Sequence, residues 1–557
     1  MEQGQRRVLA IAWPLVMAHR SRAARIVLLS WAASLMGMLI PTLSMVLIDA
    51  GALAGNMRVL AGSCIAMLLV PLLGLAFESW NRFDYLELSS HVLFRLREWV
   101  FEHLQSLSQN YYSRTGFSEL AARFDGDLAE VQRFVVDAPL ALIGGIFNLV
   151  LLVGLMVWLH PLLAVLVLAT IPPQVATTWW RRRDMEATTR NVREQATAVS
   201  GYFLDSLRVV KLIQSTNTEA ARLAGLRARH DDYQAALRVS HQGGFMIGAL
   251  QRLSGTFSMA LVIAAGGWLL MKGEVSVGVL VAFVAYAARA SGPVNTLMGV
   301  YSGWQRARIS LSRVAELLDA PTVRQGGESG CLLPETCCGA VEFRAVSYRH
   351  DSGIDVLKAA SFSIAAGNKI VLLGASGGGK STLADLLRGH FTPQQGTIFI
   401  DGIDIGRVDL ASLRRCVAVV DQEPLFLPGT VADNLRHVRA AASDAELTQA
   451  LAQAGLDMAL ERTLGASSPA LSRGERMRLA LARAILLEPA ILILDETTSA
   501  VDCELALSIM ESVDRIFATR TRIVITHDRR LAGRADAVCM LRGGRVIRLP
   551  KESAHAG

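Results

Sequence analysis

The run Gly374-Ala375-Ser376-Gly377-Gly378-Gly379-Lys380-Ser381 leaves its part of the chain little conformational choice. Its spacing is G-x-x-x-x-G-K-[ST], the pattern of a phosphate-binding loop. The apolar run Ile370-Val371-Leu372-Leu373 before it reads as a buried strand, and Thr382 to Arg388 after it reads as a helix. Between a strand and a helix, glycines let successive backbone N–H groups face inward and cradle phosphate oxygens. The positive end of the helix dipole adds to that attraction. Residues Gly374 through Thr382 are the expected nucleotide contacts. Lys380 bridges the outer phosphates, and the Ser381 hydroxyl reaches Mg²⁺.

A second apolar strand, Ile491-Leu492-Ile493-Leu494, ends in Asp495-Glu496. A strand tip delivers both acids to the edge that carries the phosphate loop. Asp495 suits Mg²⁺, and Glu496 suits a general base that polarises the attacking water. Further landmarks are Gln422 just after Val419-Val420, Leu471-Ser472-Arg473-Gly474-Glu475 before a helical run, Ser499-Ala500-Val501-Asp502, and Val524-Ile525-Thr526 ending in His527. In this order and spacing, residues 340–550 resemble the ATPase domain of ABC transporters.

The resemblance implies roles for named positions. Gln422 touches Mg²⁺ or the water and senses the membrane domain. His527 holds the γ-phosphate and the attacking water, so Glu496, His527 and Lys380 form the catalytic set. Ser472, Gly474 and Glu475 serve the ATP held by a second copy, presenting a helix N-terminus to its γ-phosphate. The strand from Val341 to His350 resembles the one whose last aromatic stacks on adenine. His350 stands where the family has tyrosine and ranks ahead of Tyr348 for that contact. The signature departs from the family's Leu-Ser-Gly-Gly-Gln at Arg473 and Glu475, where Arg473 either adds charge near phosphate or points to solvent.

The first half of the chain is of another kind. Over all 557 residues, 52% are hydrophobic, 19% are charged and mean hydropathy is +0.35. Six apolar stretches, near 26–48, 58–79, 136–158, 161–179, 244–271 and 275–300, each approach the roughly 20 residues that cross a bilayer. Segments 80–135 and 180–243 are long, helical in pattern and rich in arginine, whereas the other joins are short and carry almost no positive charge. The positive-inside rule puts the long loops, the N-terminus and the ATPase domain in the cytoplasm. This distribution accounts for the net charge of +7 without a nucleic-acid partner. Gly116 to Phe124 with Asp127, and Leu204 to Lys211, resemble the two coupling helices of ABC exporters. Seven cysteines show no Cys-x-x-Cys spacing and read as free thiols in a reducing cytosol.

The expected architecture is an all-α six-helix transmembrane domain (1–318), a glycine- and proline-containing linker (319–340) and an α/β P-loop ATPase domain (341–557). The resemblance then implies a half-size ABC exporter in a bacterial inner membrane. It would use ATP and Mg²⁺ and work as a homodimer. Its cargo would be amphipathic: a peptide, lipid or drug-like molecule. The alternatives are the strong-site half of a heterodimer and an importer built on the exporter fold. Polar groups within the spans are cargo candidates, foremost Arg289, Asn295 and Arg252. Arg289 either faces the cavity or pairs with Glu78.

Overall fold

The computed structural model describes residues 3–180, 182–323, 331–334, 336–350, 353–375, 377–465, 471–496 and 503–550. They form two compact units, Met1–Val100 with Ala121–Asp319, and Phe101–Leu120 with Ala320–Gly557.

The first unit is helical. Among the described residues, five helical segments are long and apolar enough to cross a membrane: Arg20–Leu53, Met57–Ser106, Glu119–Leu159, Glu219–Met271 and Val277–Leu318. They carry exposed leucines such as Leu68, Leu69 and Leu72, a surface that suits lipid rather than water. The fourth apolar stretch differs from the expectation of one continuous helix. It is two helices, Pro161–Ala169 and Ile171–Trp180, interrupted at Thr170. Pro172 and Pro173 explain the break: neither has an N–H to donate, and a proline ring crowds the carbonyl one turn back.

Packing inside the unit is apolar and dense around Met38, Leu152, Met156, Phe283 and Tyr286. The Tyr286 hydroxyl donates to the Met38 carbonyl at 2.7 Å, which satisfies its one polar atom. Met38 and Met156 are packing residues, whereas Met246 and Met259 face outward. Elsewhere a carboxylate ties two helices together. Asp49 accepts the Ser276 hydroxyl and, at 2.9 Å, the Gly278 N–H. Ser276 in turn caps the helix Val277–Arg289 by accepting from Val279 N–H. Asp127 is held likewise by the Ser310 hydroxyl at 2.7 Å.

The second unit holds two main sheets. A six-stranded sheet runs Arg545–Leu549, Ala537–Arg542, Lys369–Gly374, Thr521–Thr526, Ile491–Asp495, Val417–Val420, parallel except for its first pair. Its central strands Ile491–Asp495 and Thr521–Thr526 are buried along their whole length, which matches sequences that are apolar or β-branched except at Arg522 and Asp495. A four-stranded antiparallel sheet contains Asp355–Ile364, Val341–Arg349, Gln395–Ile400 and Ile403–Asp404. Residues 331–334 and 336–340 are not a loose tether. Cys331 N–H bonds the Arg407 carbonyl at 3.0 Å, and Leu333 N–H bonds Ser412 Oγ at 3.0 Å.

The segments resembling coupling helices are local breaks in long helices. Phe117–Ala122 is a short helix, preceded by a separate one, Gln109–Arg114. Arg182–Arg208 ends where Val210–Thr216 begins.

A Cβ at Gly278 would lie 2.5 Å from Asp49 Oδ2 and 2.6 Å from the Met45 carbonyl. Gly278→Val is therefore expected to destabilise the helical unit by roughly 1–3 kcal/mol through overpacking. Thermal unfolding in detergent measures it, with Gly267→Ala, whose Cβ would meet nothing within 4 Å, as the neutral control.

Candidate functional site

Parallel register brings the chemistry together. Leu373 pairs with Thr526, and Ile525 pairs with Asp495. Gly374 at the end of its strand, and Glu496 and His527 just after theirs, therefore emerge on one edge of the sheet, as expected for an open parallel sheet.

The glycine loop owes its shape to positive φ. Gly377 stands at φ +75° and Gly379 at +95°, where it caps the helix Lys380–Leu387. At Gly379 a Cβ would lie 2.1 Å from Val356 Cγ1, so both space and backbone demand glycine. A Cβ at Gly378 would press on the Ala375 carbonyl at 2.9 Å. Ser376 lies outside the described residues. Lys380 is only 4% exposed, with its ammonium donating to the carbonyls of Gly374 (2.9 Å) and Ala375 (3.0 Å). The same ammonium lies 3.3 Å from Glu496 Oε1. Lysine and the expected base thus share one charge-balanced site. Glu496 itself stands at φ +47°, uncommon for a residue with a Cβ, and its N–H is fixed by the Ile525 carbonyl at 2.9 Å.

Asp495 is 8% exposed, and its Oδ1 has no hydrogen-bond partner among the described residues. Burial holds this carboxyl above its ordinary range, opposed by a hydrogen bond from Ser381. A buried carboxylate oxygen with no donor, next to a serine hydroxyl, is a donor set that fits a hard divalent cation such as Mg²⁺. Asp385, one turn into the loop's helix, belongs to the same field. Burial lifts it to about 6, with Asp421 and Asp495 adding to the rise against Arg388.

An aromatic corner adjoins the loop. Tyr348 stacks on Phe391 with centroids 5.2 Å apart, and His350 meets both rings edge-on. Tyr348 is 3% exposed and part of the core, whereas His350 is partly exposed with Nε2 3.3 Å from Thr382 Oγ1. Sequence reasoning did not find Phe391, whose only signal was a lone aromatic after Gly389-His390.

Gln422 and His527 are exposed on loops at the ends of their strands. Residues 466–470 and 497–502, including Asp502, lie outside the described residues.

The Ser472 segment is a helix start. Ser472 Oγ accepts from Glu475 N–H at 3.2 Å, and Glu475 Oε2 accepts from Ser472 N–H at 2.8 Å, a capping box for the helix Arg473–Leu487. Glu475 Oε1 also meets Arg462 Nη1 at 3.1 Å. The Ser472 backbone bond, joined by Arg462, holds this carboxyl below its ordinary range despite partial burial. The glutamate is thus locally anchored. Arg473 is exposed and Gly474 partly so.

In the helical unit, Arg289 is exposed and donates to the Gly37 carbonyl, so the pairing with Glu78 is not formed. Helix Val277–Arg289 places residue 289 within reach of a backbone carbonyl instead. Glu78 lines a cavity of about 370 Å³ with Trp31, Asn81, Arg82 and Asp137. Arg252 and Asn295 are exposed and line neither that cavity nor a second one near Asn148 and Pro293.

Comparison with known proteins agrees with this geometry. The family model described as ABC transporter matches residues 357–499, and that of the ABC transporter transmembrane region matches 24–294. An ATP-dependent lipid A-core flippase of Bordetella pertussis is 30% identical over 478 residues, 83% of this chain and 76% of that one. The uncharacterized ABC transporter ATP-binding protein YfiC of Bacillus subtilis is 28% identical over 495 residues, 87% of this chain and 80% of that one. In fold, the chain is similar to a bacterial Atm1-family ABC exporter solved with ATP bound: TM-score 0.80, 24% identity, covering 95% of this chain and 94% of that one.

Two outcomes follow from the site. Glu496→Gln should retain nucleotide binding but lower hydrolysis about 100-fold or more, a loss of about 2.7 kcal/mol in transition-state stabilisation. Single-turnover hydrolysis on purified protein measures it, and activity within threefold of the parent excludes Glu496 as base. The second concerns pH. A carboxyl raised from 3.8 to about 6 favours the folded state below its unfolded value and loses that contribution as pH rises through about 6. Asp385→Asn, which stays neutral, should therefore raise apparent melting temperature relative to the parent more at pH 8 than at pH 5. An equal difference at both values would mean that Asp385 does not titrate in this window.

Proposed function

Because the chain belongs to the ABC transporter family, with membrane and ATPase domains in one polypeptide, we propose that it is one half of a dimeric exporter moving an amphipathic molecule by alternating access. It is an integral membrane protein that binds nucleotide and couples ATP hydrolysis to transport. The observation that carries the chemical reading is the strand edge where Lys380, Glu496 and the unpartnered oxygen of Asp495 converge.

Ser381 and Asp495, with Gln422 completing the set, would hold Mg²⁺, which would supply neutralisation of phosphate charge. The protein's own groups do the rest. Backbone N–H groups of residues 374–379 and the helix start at Lys380 hold the phosphates. Lys380 exchanges its carbonyl partners for phosphate oxygens, which frees Glu496 to take a proton from the attacking water. His527, at the same edge, orients that water and the γ-phosphate. His350 offers its ring to adenine, with Tyr348 and Phe391 supporting it from behind.

Ser472, Gly474 and Glu475 act on the nucleotide of a second copy, so one chain alone lacks a complete site. A homodimer meets that need. The intact Glu496 and the preserved helix cap at Ser472 give each copy a competent half. The flippase relative supports a lipid-like or otherwise amphipathic cargo, and the exposed arginines Arg289 and Arg252, with Asn295, are the groups proposed to meet its polar end. The arginine-rich segments 80–135 and 180–243 support a bacterial inner-membrane orientation with the ATPase domain in the cytoplasm. Nothing in this scheme calls for nucleic acid.

Complementation tests the dimer. Ser472→Arg and Lys380→Ala chains, each inactive alone, should regain ATP hydrolysis when mixed in proteoliposomes. Each mixed dimer keeps one site with an intact loop and an intact partner segment. Mixtures no more active than either parent would refute the shared site. Translocation of a fluorescent phospholipid analogue by the unaltered protein, dependent on ATP and lost in Glu496→Gln, tests the direction and class of cargo.

A further inference from the structure

Residue Cys337 lies in the segment that leads into the ATPase unit, and Cys416 ends the helix Leu410–Cys416. Although 79 positions apart in sequence, their sulfurs approach to 2.9 Å. Asp401 stands beside them. Its Oδ2 lies 3.1 Å from Cys337 Sγ and also accepts the N–H groups of Cys338 (2.7 Å) and Gly339 (3.1 Å), while Oδ1 accepts that of Ala340 (2.7 Å). The carboxylate thereby folds the chain after Cys337 around itself and points that thiol at Cys416. Cys416 is 7% exposed and Cys337 partly buried, while Cys331 and Cys338 are exposed and have no thiol partner among the described residues.

We propose that Cys337 and Cys416 are an oxidisable pair whose disulfide straps the entry segment of the ATPase unit to the strand that leads to Gln422. The second half of the statement follows from chain order. Cys416 is followed directly by the strand Val417–Val420, and Gln422 stands two residues beyond it. The first half follows from the unequal environments of the thiols. The contact with Cys416, burial and Asp401 keep Cys337 protonated, whereas Cys416, beside the Cys337 thiol and near Arg520, is held below the usual thiol range. The thiolate is the nucleophile.

A hydroperoxide is the oxidant. The Cys416 thiolate attacks one peroxide oxygen, the O–O bond breaks, and Cys416 becomes a sulfenic acid as hydroxide leaves. Cys337 sulfur then attacks the Cys416 sulfur. The S–O bond breaks, and the Cys337 proton leaves with the departing oxygen as water. Two electrons pass from the two sulfurs to the peroxide. Where glutathione keeps thiols reduced, the bond forms under oxidant and is reversed by thiol exchange.

The test uses the full chain in detergent. It is treated with hydrogen peroxide, capped with N-ethylmaleimide and mapped by peptide mass spectrometry. A cross-linked pair of peptides carrying Cys337 and Cys416 is expected. With it should come a higher apparent melting temperature and a severalfold slower ATP turnover, all reversed by dithiothreitol. Cys337→Ser and, independently, Cys416→Ala should abolish the response, and Cys338→Ser should keep it. Cross-links through Cys331 or Cys338 instead, or over-oxidised Cys337 without a link, would overturn the pair. A 337–416 link that changes neither melting nor turnover would overturn the strap.

Discussion

The buried ammonium of Lys380 organises the candidate site. A cation that is 4% exposed must be balanced locally, and here two carbonyls and one carboxylate do so. The carbonyls come from the loop itself, so the lysine closes the turn proposed to receive phosphate. The carboxylate is Glu496, so the lysine also positions the group proposed as base. Neither function is separable from the sheet beneath. Strands Lys369–Gly374, Thr521–Thr526 and Ile491–Asp495 lie side by side in parallel, and their registers set the spacing of the loop, Glu496 and His527. Any slip in the Ile525–Asp495 pairing would move both acids away from Lys380.

Much of this was legible in the residue order, for definite reasons. Glycines at 377 and 379 are needed for backbone geometry, so they mark the loop directly. Runs such as Ile491 to Leu494 are apolar without alternation, which identifies strands buried on both faces. What could not be read are contacts between residues far apart in sequence. Phe391 joins Tyr348 only because the antiparallel sheet brings their segments together. Asp385 titrates abnormally because burial and two distant aspartates act on it, and no local pattern encodes that. Glu475 looked like a weakened signature residue. The structure shows a capping partner and an Arg462 contact that the motif alone does not reveal.

In the helical unit the length and apolarity of segments were plain, and their continuity was not. Two adjacent prolines at 172 and 173 interrupt the fourth stretch at Thr170, and a hydropathy window averages over such a break. Arg289 illustrates a different limit. Charge complementarity suggested Glu78, but a guanidinium near a helix end can also use backbone carbonyls, and it does so at Gly37.

The capping box at Ser472 has a directional consequence. Its hydroxyl oxygen is already an acceptor for the Glu475 N–H, which leaves the hydroxyl hydrogen as the group it can offer outward. Inward it behaves as a base, and outward as an acid. Aspartate or asparagine would cap the helix as well, but neither matches this polarity: one brings negative charge toward a phosphate, the other must choose between carbonyl and amide. A hydroxyl, of serine here or of threonine, supplies an acceptor for its own helix and a donor for an outside partner from a single oxygen. The demand for a stable helix start and the anion recognition proposed for Ser472 thus fall on the same atom.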